Sequence, residues 1–115
     1  MSRDSLEFLR DIEESRERIL EYTEGLSQDE VFREKMRFDG LLYNLHVIGE
    51  AVKHLPESIR TDHGDIPWKE ISGMRDIIAH AYFALDLDIL WKGIKEDVPT
   101  LLHRVQTIIE ENNPG

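Results

Sequence analysis

Apolar positions recur at helical spacing along most of the chain, and no stretch alternates apolar and polar residues as a strand would. Over residues 4–24, Leu6, Leu9, Ile12, Ile19, Leu20 and Tyr22 repeat with Asp, Glu and Arg between them, which predicts a long amphipathic helix. Gly25 is a natural stop for it. Ser27 followed by Glu30 has the form of a capping box and predicts a short helix through Val31, Phe32 and Met36. The clearest stripe lies at 38–55, where Leu41, Leu45, Ile48, Val52 and Leu55 are spaced by four, three, four and three. Gly49 sits in the middle of that helix, where glycine costs about 1 kcal/mol against alanine. A close helix–helix approach is the physical reason to keep it. His46 and Glu50, four apart, form a candidate surface or interface pair.

Pro56 ends this helix or opens a short turn through Arg60, and Thr61–Pro67 reads as a loop. Pro67 suits the first position of a new helix, with Asp65 as an anion at its N-terminus. Trp68, Ile71 and Met74 supply core contacts there, and Gly73 is a point where the helix can loosen or bend. Asp86 or Asp88 is placed to cap a last helix carrying Leu90, Trp91, Ile94, Val98, Leu101, Leu102, Val105, Ile108 and Ile109. Pro99 inside it predicts a kink or restart. Residues 111–115 are expected to fray. The pattern predicts one all-α domain over residues 1–115, an antiparallel bundle of four main helices with short ones between.

Composition narrows the function. With 115 residues, 40% of them hydrophobic, the chain has a modest core and no apolar run long enough to span a membrane. The charged start, Met1 to Glu7, lacks the apolar centre of a secretion signal. The absence of cysteine removes disulfides, a thiolate nucleophile and Cys-ligated zinc. These features fit a cytoplasmic protein. A net charge of −10 argues against nonspecific nucleic-acid binding. The acidity is uneven, however: residues 1–30 hold 4 Lys/Arg against 10 Asp/Glu, whereas residues 31–80 hold 7 against 8. RNA could approach the nearly neutral middle, and a basic partner the acidic end.

That middle contains Gly73-Met-Arg-Asp-Ile-Ile-Ala-His-Ala-Tyr82. The histidines are scattered, and no His-Glu-x-x-His, EF-hand, Gly-rich phosphate loop or nucleophile elbow is present, so neither a metal nor a cofactor is expected. What remains is a cation, a carboxylate, an imidazole and a phenol within eight residues. Asp76 and His80 are four apart, so the carboxylate could accept from the imidazole and fix its tautomer. Arg75 and His80 are five apart, roughly 140° around an ideal helix. One straight helix does not aim both at a single phosphate. Either the helix distorts or a second copy completes the site, which predicts a symmetric dimer with the two segments facing. If the two converge, His80 can take a proton from a ribose 2′-hydroxyl and Arg75 can hold the phosphate oxygens as charge builds. An ordinary interhelical ion-pair network would use the same residues.

Arg75-Asp-Ile-Ile-Ala-His80-Ala-Tyr82 resembles the Arg-x4-6-His-x-Tyr pattern of the HEPN superfamily. Asp39-Gly-Leu-Leu, Ile48-Gly-Glu-Ala, Ile66-Pro-Trp-Lys-Glu-Ile, Gly73-Met-Arg-Asp and Leu87-Asp-Ile-Leu-Trp sharpen the resemblance to its HepT-like branch, over about residues 6–109. The resemblance implies a HEPN fold and a homodimeric, metal-independent endoribonuclease toxin of a type VII-like toxin–antitoxin pair. Arg75 and His80 would be its catalytic pair, with Asp76 at the polar position after the arginine. It also implies a cognate MntA-like minimal nucleotidyltransferase antitoxin that adenylylates Tyr82, which would place negative charge where RNA phosphate must sit. Ala81 replaces a glycine frequent in the family. The alternative is a noncatalytic all-α module that binds a nucleotide or partner alongside such a nucleotidyltransferase.

Overall fold

A computed structural model describes residues 5–80 and 84–112, and all of its regular elements are helical. The first helix, α1 (Ser5–Thr23), ends where Gly25 takes a positive φ of 74°. Its buried stripe is Leu9, Ile12, Ser15, Ile19 and Thr23. Leu20, counted with the apolar stripe from sequence, is instead exposed, and the small Ser15 and Thr23 fill inward turns. Thr23 is satisfied there by donating its hydroxyl to the Ile19 carbonyl at 2.7 Å.

Ser27 caps α2 (Gln28–Arg33) in a complete capping box with Glu30. The next helix, α3 (Lys35–Lys53), starts three residues earlier than the apolar stripe indicates. The cause is Glu34, whose carboxylate accepts from the backbone N–H groups of Met36 and Arg37 at 3.1 and 2.8 Å. Leu41, Leu45, Ile48, Val52 and Leu55 are all buried, as their spacing predicts. Each such side chain contributes at most about 1.5–3 kcal/mol of burial free energy. This helix is the centre of the molecule, packed between α1 on one side and α5 on the other.

Pro56 opens the short turn as a helix, α4 (Glu57–Asp62), which also takes in Thr61 and Asp62 of the expected loop. The following helix, α5 (Trp68–His80), begins one residue after Pro67, whose carbonyl accepts the first helical bond from Ile71 N–H at 3.1 Å. Asp65 does not serve the helix end. It binds the guanidinium of Arg104 through both oxygens, and this pairing holds its carboxyl below the ordinary range. Trp68 donates its indole N–H to the His63 carbonyl at 3.0 Å and fixes the loop from inside. No break occurs at Gly73.

The last predicted helix is a chain of pieces. Asp86, not Asp88, caps α6 (Leu87–Lys92) by accepting from the N–H groups of Asp88 and Ile89. A π-helical stretch, Gly93–Asp97, follows; the Val98 N–H reaches back five residues to the Gly93 carbonyl. Pro99, which has no N–H to donate, lies in the first turn of α7 (Val98–Leu102), and a turn at 103–104 leads into α8 (Val105–Glu111). The wider π turn takes up the register change ahead of the proline. Packing of the π stretch on α5 and of α8 on α1 closes the bundle. The fold is all-α, as the pattern predicts. The end of the expected frayed tail, residues 113–115, lies outside the described residues.

Candidate active site

Gly49 sets the position of Arg75. Where α3 meets α5, a Cβ on Gly49 would stand 2.5 Å from the Arg75 Cβ and 3.3 Å from both the Arg75 backbone N and the Ile71 carbonyl oxygen. Only a residue without a Cβ allows this approach, so the mid-helix glycine has the close-packing role expected from sequence.

Above this contact, Arg75 is held from two sides. Its Nε donates to Glu50 Oε2 at 2.8 Å, and Nη1 donates to Asp76 Oδ1 at 3.3 Å. The same Asp76 oxygen accepts from Lys53 Nζ at 2.6 Å. Glu50 is completed by His54, whose Nε2 lies 3.3 Å from Oε1. Among the described residues Nη2 of Arg75 has no hydrogen-bond partner, and 28% of the side chain is exposed. The guanidinium is therefore held from two sides, with Nη2 left to donate.

The carboxylates respond to these partners. The Lys53 hydrogen bond, reinforced by Arg75, holds the Asp76 carboxyl below its ordinary range. Burial alone would raise Glu50, but hydrogen bonds from His54 and Arg75 outweigh it and lower the group overall. Both are anions at neutral pH, so the arginine sits in a nearly balanced cluster with Lys53 as a second cation.

Asp76, expected to orient His80, is occupied by Lys53 and Arg75. His80 is exposed at the last position of α5, with no hydrogen-bond partner among the described residues. Because α5 is unbroken from Arg75 to His80, the two project about 140° apart. One copy of the chain does not bring them together. Tyr82 lies outside the described residues. Glu50 and Lys53 were not recognised from sequence as braces of the site. Gly49 was the available signal, since the residue packed closest to another helix points its neighbours toward that helix. The His46–Glu50 pair is replaced by contacts from Glu50 to His54 and Arg75.

Two other features bound the site. Among the described residues no group of three or more His, Asp or Glu side chains could hold a metal ion. A cavity of about 620 Å³ between α1 and α3 carries Asp11, Glu14 and Asp39 against Arg18. Arg18 is already bound to Glu14 at 3.2 Å, so this acidic cavity repels phosphate.

An arginine locked by two carboxylates on one helix of an all-α bundle, with a histidine five residues on at the helix end, defines a protein with an Arg-x4-His site. The chain belongs to the Ribonuclease HepT-like family, whose model matches residues 12–108. It is 39% identical over 101 residues to the "Probable ribonuclease HepT" of Thermococcus cleftensis, covering 88% of this chain and 92% of that one. It is 37% identical over 106 residues to the "Putative RNase MJ1380" of Methanocaldococcus jannaschii, covering 92% and 97%. The "Gamma-glutamylcyclotransferase and putative RNase MJ0434" of the same organism is 40% identical over 111 residues. There the match takes in 96% of this chain but spans half the length of that relative. No solved structure matches the chain significantly.

Proposed function

We propose that the chain is a metal-independent endoribonuclease whose working site forms between two copies, Arg75 of one facing His80 of the other. The observation that carries this reading is the bracing of Arg75. Glu50 and Asp76 spend the Nε and Nη1 donors on orientation and, among the described residues, leave Nη2 without a partner, as a phosphate-binding arginine requires. His80 takes the proton from a ribose 2′-hydroxyl, and the 2′-oxygen attacks the adjacent phosphorus. Arg75 stabilises the charge on the non-bridging oxygens, the leaving 5′-oxygen takes its proton from water, and the His80 imidazolium returns its own to solvent. The products are a 2′,3′-cyclic phosphate and a 5′-hydroxyl end. Asp76 is a positioning residue in this scheme, acting on Arg75 and shared with Lys53.

The family and the names of the relatives support RNA as substrate. The regulatory side of the proposal is a toxin of the cytoplasm restrained by a minimal nucleotidyltransferase that adenylylates Tyr82. An adenylate two residues from His80 would add negative charge beside the phosphate site.

The test is cleavage of labelled RNA in excess chelator. Cleavage should persist in chelator, fall by at least about 100-fold in both Arg75→Ala and His80→Ala, and leave cyclic phosphate ends. Activity surviving both substitutions would overturn the assignment. Nucleotide binding with no cleavage by the unaltered chain would favour the noncatalytic module instead.

A further inference from the structure

Beside the braced arginine, α1 and α3 enclose a cavity of about 210 Å³ whose lining includes Glu50, the partner of Arg75. Val47 and Ala51 supply an apolar surface, and Phe8 and Tyr43 supply aromatic rings. The two rings are not equivalent. Phe8 is stacked on His54 with centroids 4.9 Å apart and planes within 9° of parallel, whereas the Tyr43 side chain is 67% exposed. His46, half-buried and without a hydrogen-bond partner among the described residues, lies one turn from Tyr43 and one turn from Glu50 on the outer side of α3.

We infer that this cavity is a nucleobase subsite: the base whose 3′-phosphate rests on Arg75 stacks on Tyr43 and presents its hydrogen-bonding edge to Glu50 and His46. The inference rests on Arg75 as the phosphate ligand, and it adds a base preference to that reading. A cavity with apolar lining and an exposed aromatic ring suits any base, because every base has a π face. The edge groups then discriminate. Each Glu50 oxygen accepts one hydrogen bond, Oε2 from Arg75 and Oε1 from His54, and retains a lone pair. Asp11 adds a second carboxylate to the lining. Acceptors at the edge favour guanine, whose N1–H and N2–H groups are adjacent donors, over uracil, which presents carbonyl oxygens on either side of one N–H. The carboxylates that make the neighbouring surface unfit for phosphate do not repel a neutral base.

Calorimetric titration with guanosine 3′-monophosphate and uridine 3′-monophosphate tests this, together with cleavage of RNA substrates differing only in the base before the scissile phosphate. The unaltered chain should bind the guanine nucleotide more tightly and cut after guanine in preference to uracil. Tyr43→Ala should weaken guanine-nucleotide binding about tenfold and flatten the cleavage preference, while Tyr43→Phe keeps both. Tyr43 is largely exposed, so an unchanged melting temperature will show that the fold is intact. Equal binding of the two nucleotides, or no effect of Tyr43→Ala, overturns the inference even if RNA is cut. Tyr43-dependent guanine binding without RNA cleavage leaves the subsite standing and overturns the ribonuclease reading.

Discussion

Two glycines on the packed helices carry opposite predictions because their surroundings differ. At Gly49 an added methyl would meet the Cβ of Arg75, an atom fixed to the α5 backbone, at 2.5 Å. The obstacle is not the far end of a flexible side chain, so α5 must move. Such overpacking costs about 1–3 kcal/mol, which exceeds the roughly 1 kcal/mol that alanine gains over glycine in a helix. Gly49→Ala should therefore lower unfolding free energy in denaturant titration, and it should lower RNA cleavage further by displacing the guanidinium. At Gly73, on α5 itself, a Cβ would meet nothing within 4 Å. Gly73→Ala should stabilise by up to about 1 kcal/mol through helix propensity. If Gly49→Ala stabilises as Gly73→Ala does, the close approach at Gly49 does not govern this packing. The chemistry at this scale was legible where a residue type has few uses, as with Gly49. The partners that α3 lends the site were not, because Glu50, which binds Arg75, and Lys53, which binds Asp76, lie far from α5 in sequence and only the crossing of α3 and α5 brings them together.

At the scale of elements, caps settle a choice that sequence left open. Asp86 and Asp88 both stand near the start of α6, and spacing alone does not choose between them. Asp86 accepts the two orphan N–H groups of Asp88 and Ile89, each at 3.1 Å, while Asp88 accepts from the Gln28 side chain at 2.7 Å. Asp86→Ala should cost about 1 kcal/mol of stability by thermal or denaturant unfolding, and Asp88→Ala no more than about 0.5 kcal/mol. A larger loss from Asp88→Ala would contradict the cap assignment. The long helices were legible because 3.6-residue periodicity and a glycine or capping-box boundary agreed, as at Gly25, Ser27 and the α3 stripe. Three features escaped for physical reasons. Ser15 and Thr23 are buried on α1 although polar, Thr23 with its hydroxyl satisfied by the Ile19 carbonyl, and a count of apolar residues does not detect this. Glu34 starts α3 early by capping, ahead of any apolar signal. Pro99 announced a disturbance, but its form, a π-helical stretch before the proline with Gly93 against Met74, depends on the packing of that segment over α5.

The whole molecule raises the question of how one unbroken helix can supply two groups to one phosphate. With α5 continuous through Arg75 and His80, the groups diverge by about 140°, and no break within the helix closes that angle. The proposed two-fold pairing of copies would solve the geometry, because each arginine would then meet the partner's histidine and two equivalent sites would arise. This arrangement has a consequence that a site within one chain does not share. Arg75→Ala alone has no arginine at either site, and His80→Ala alone has no histidine. Mixed dimers of the two variants, formed by co-expression or by unfolding and refolding together, contain one site with neither group and one site with both. With random pairing, half of the dimers are mixed and half of their sites are intact, so RNA cleavage should return to about a quarter of the level given by the unaltered protein. Native mass spectrometry would establish the fraction of mixed dimers in the same sample. Mixed dimers that remain as inactive as either variant would place Arg75 and His80 on the same chain's site and remove the need for a partner.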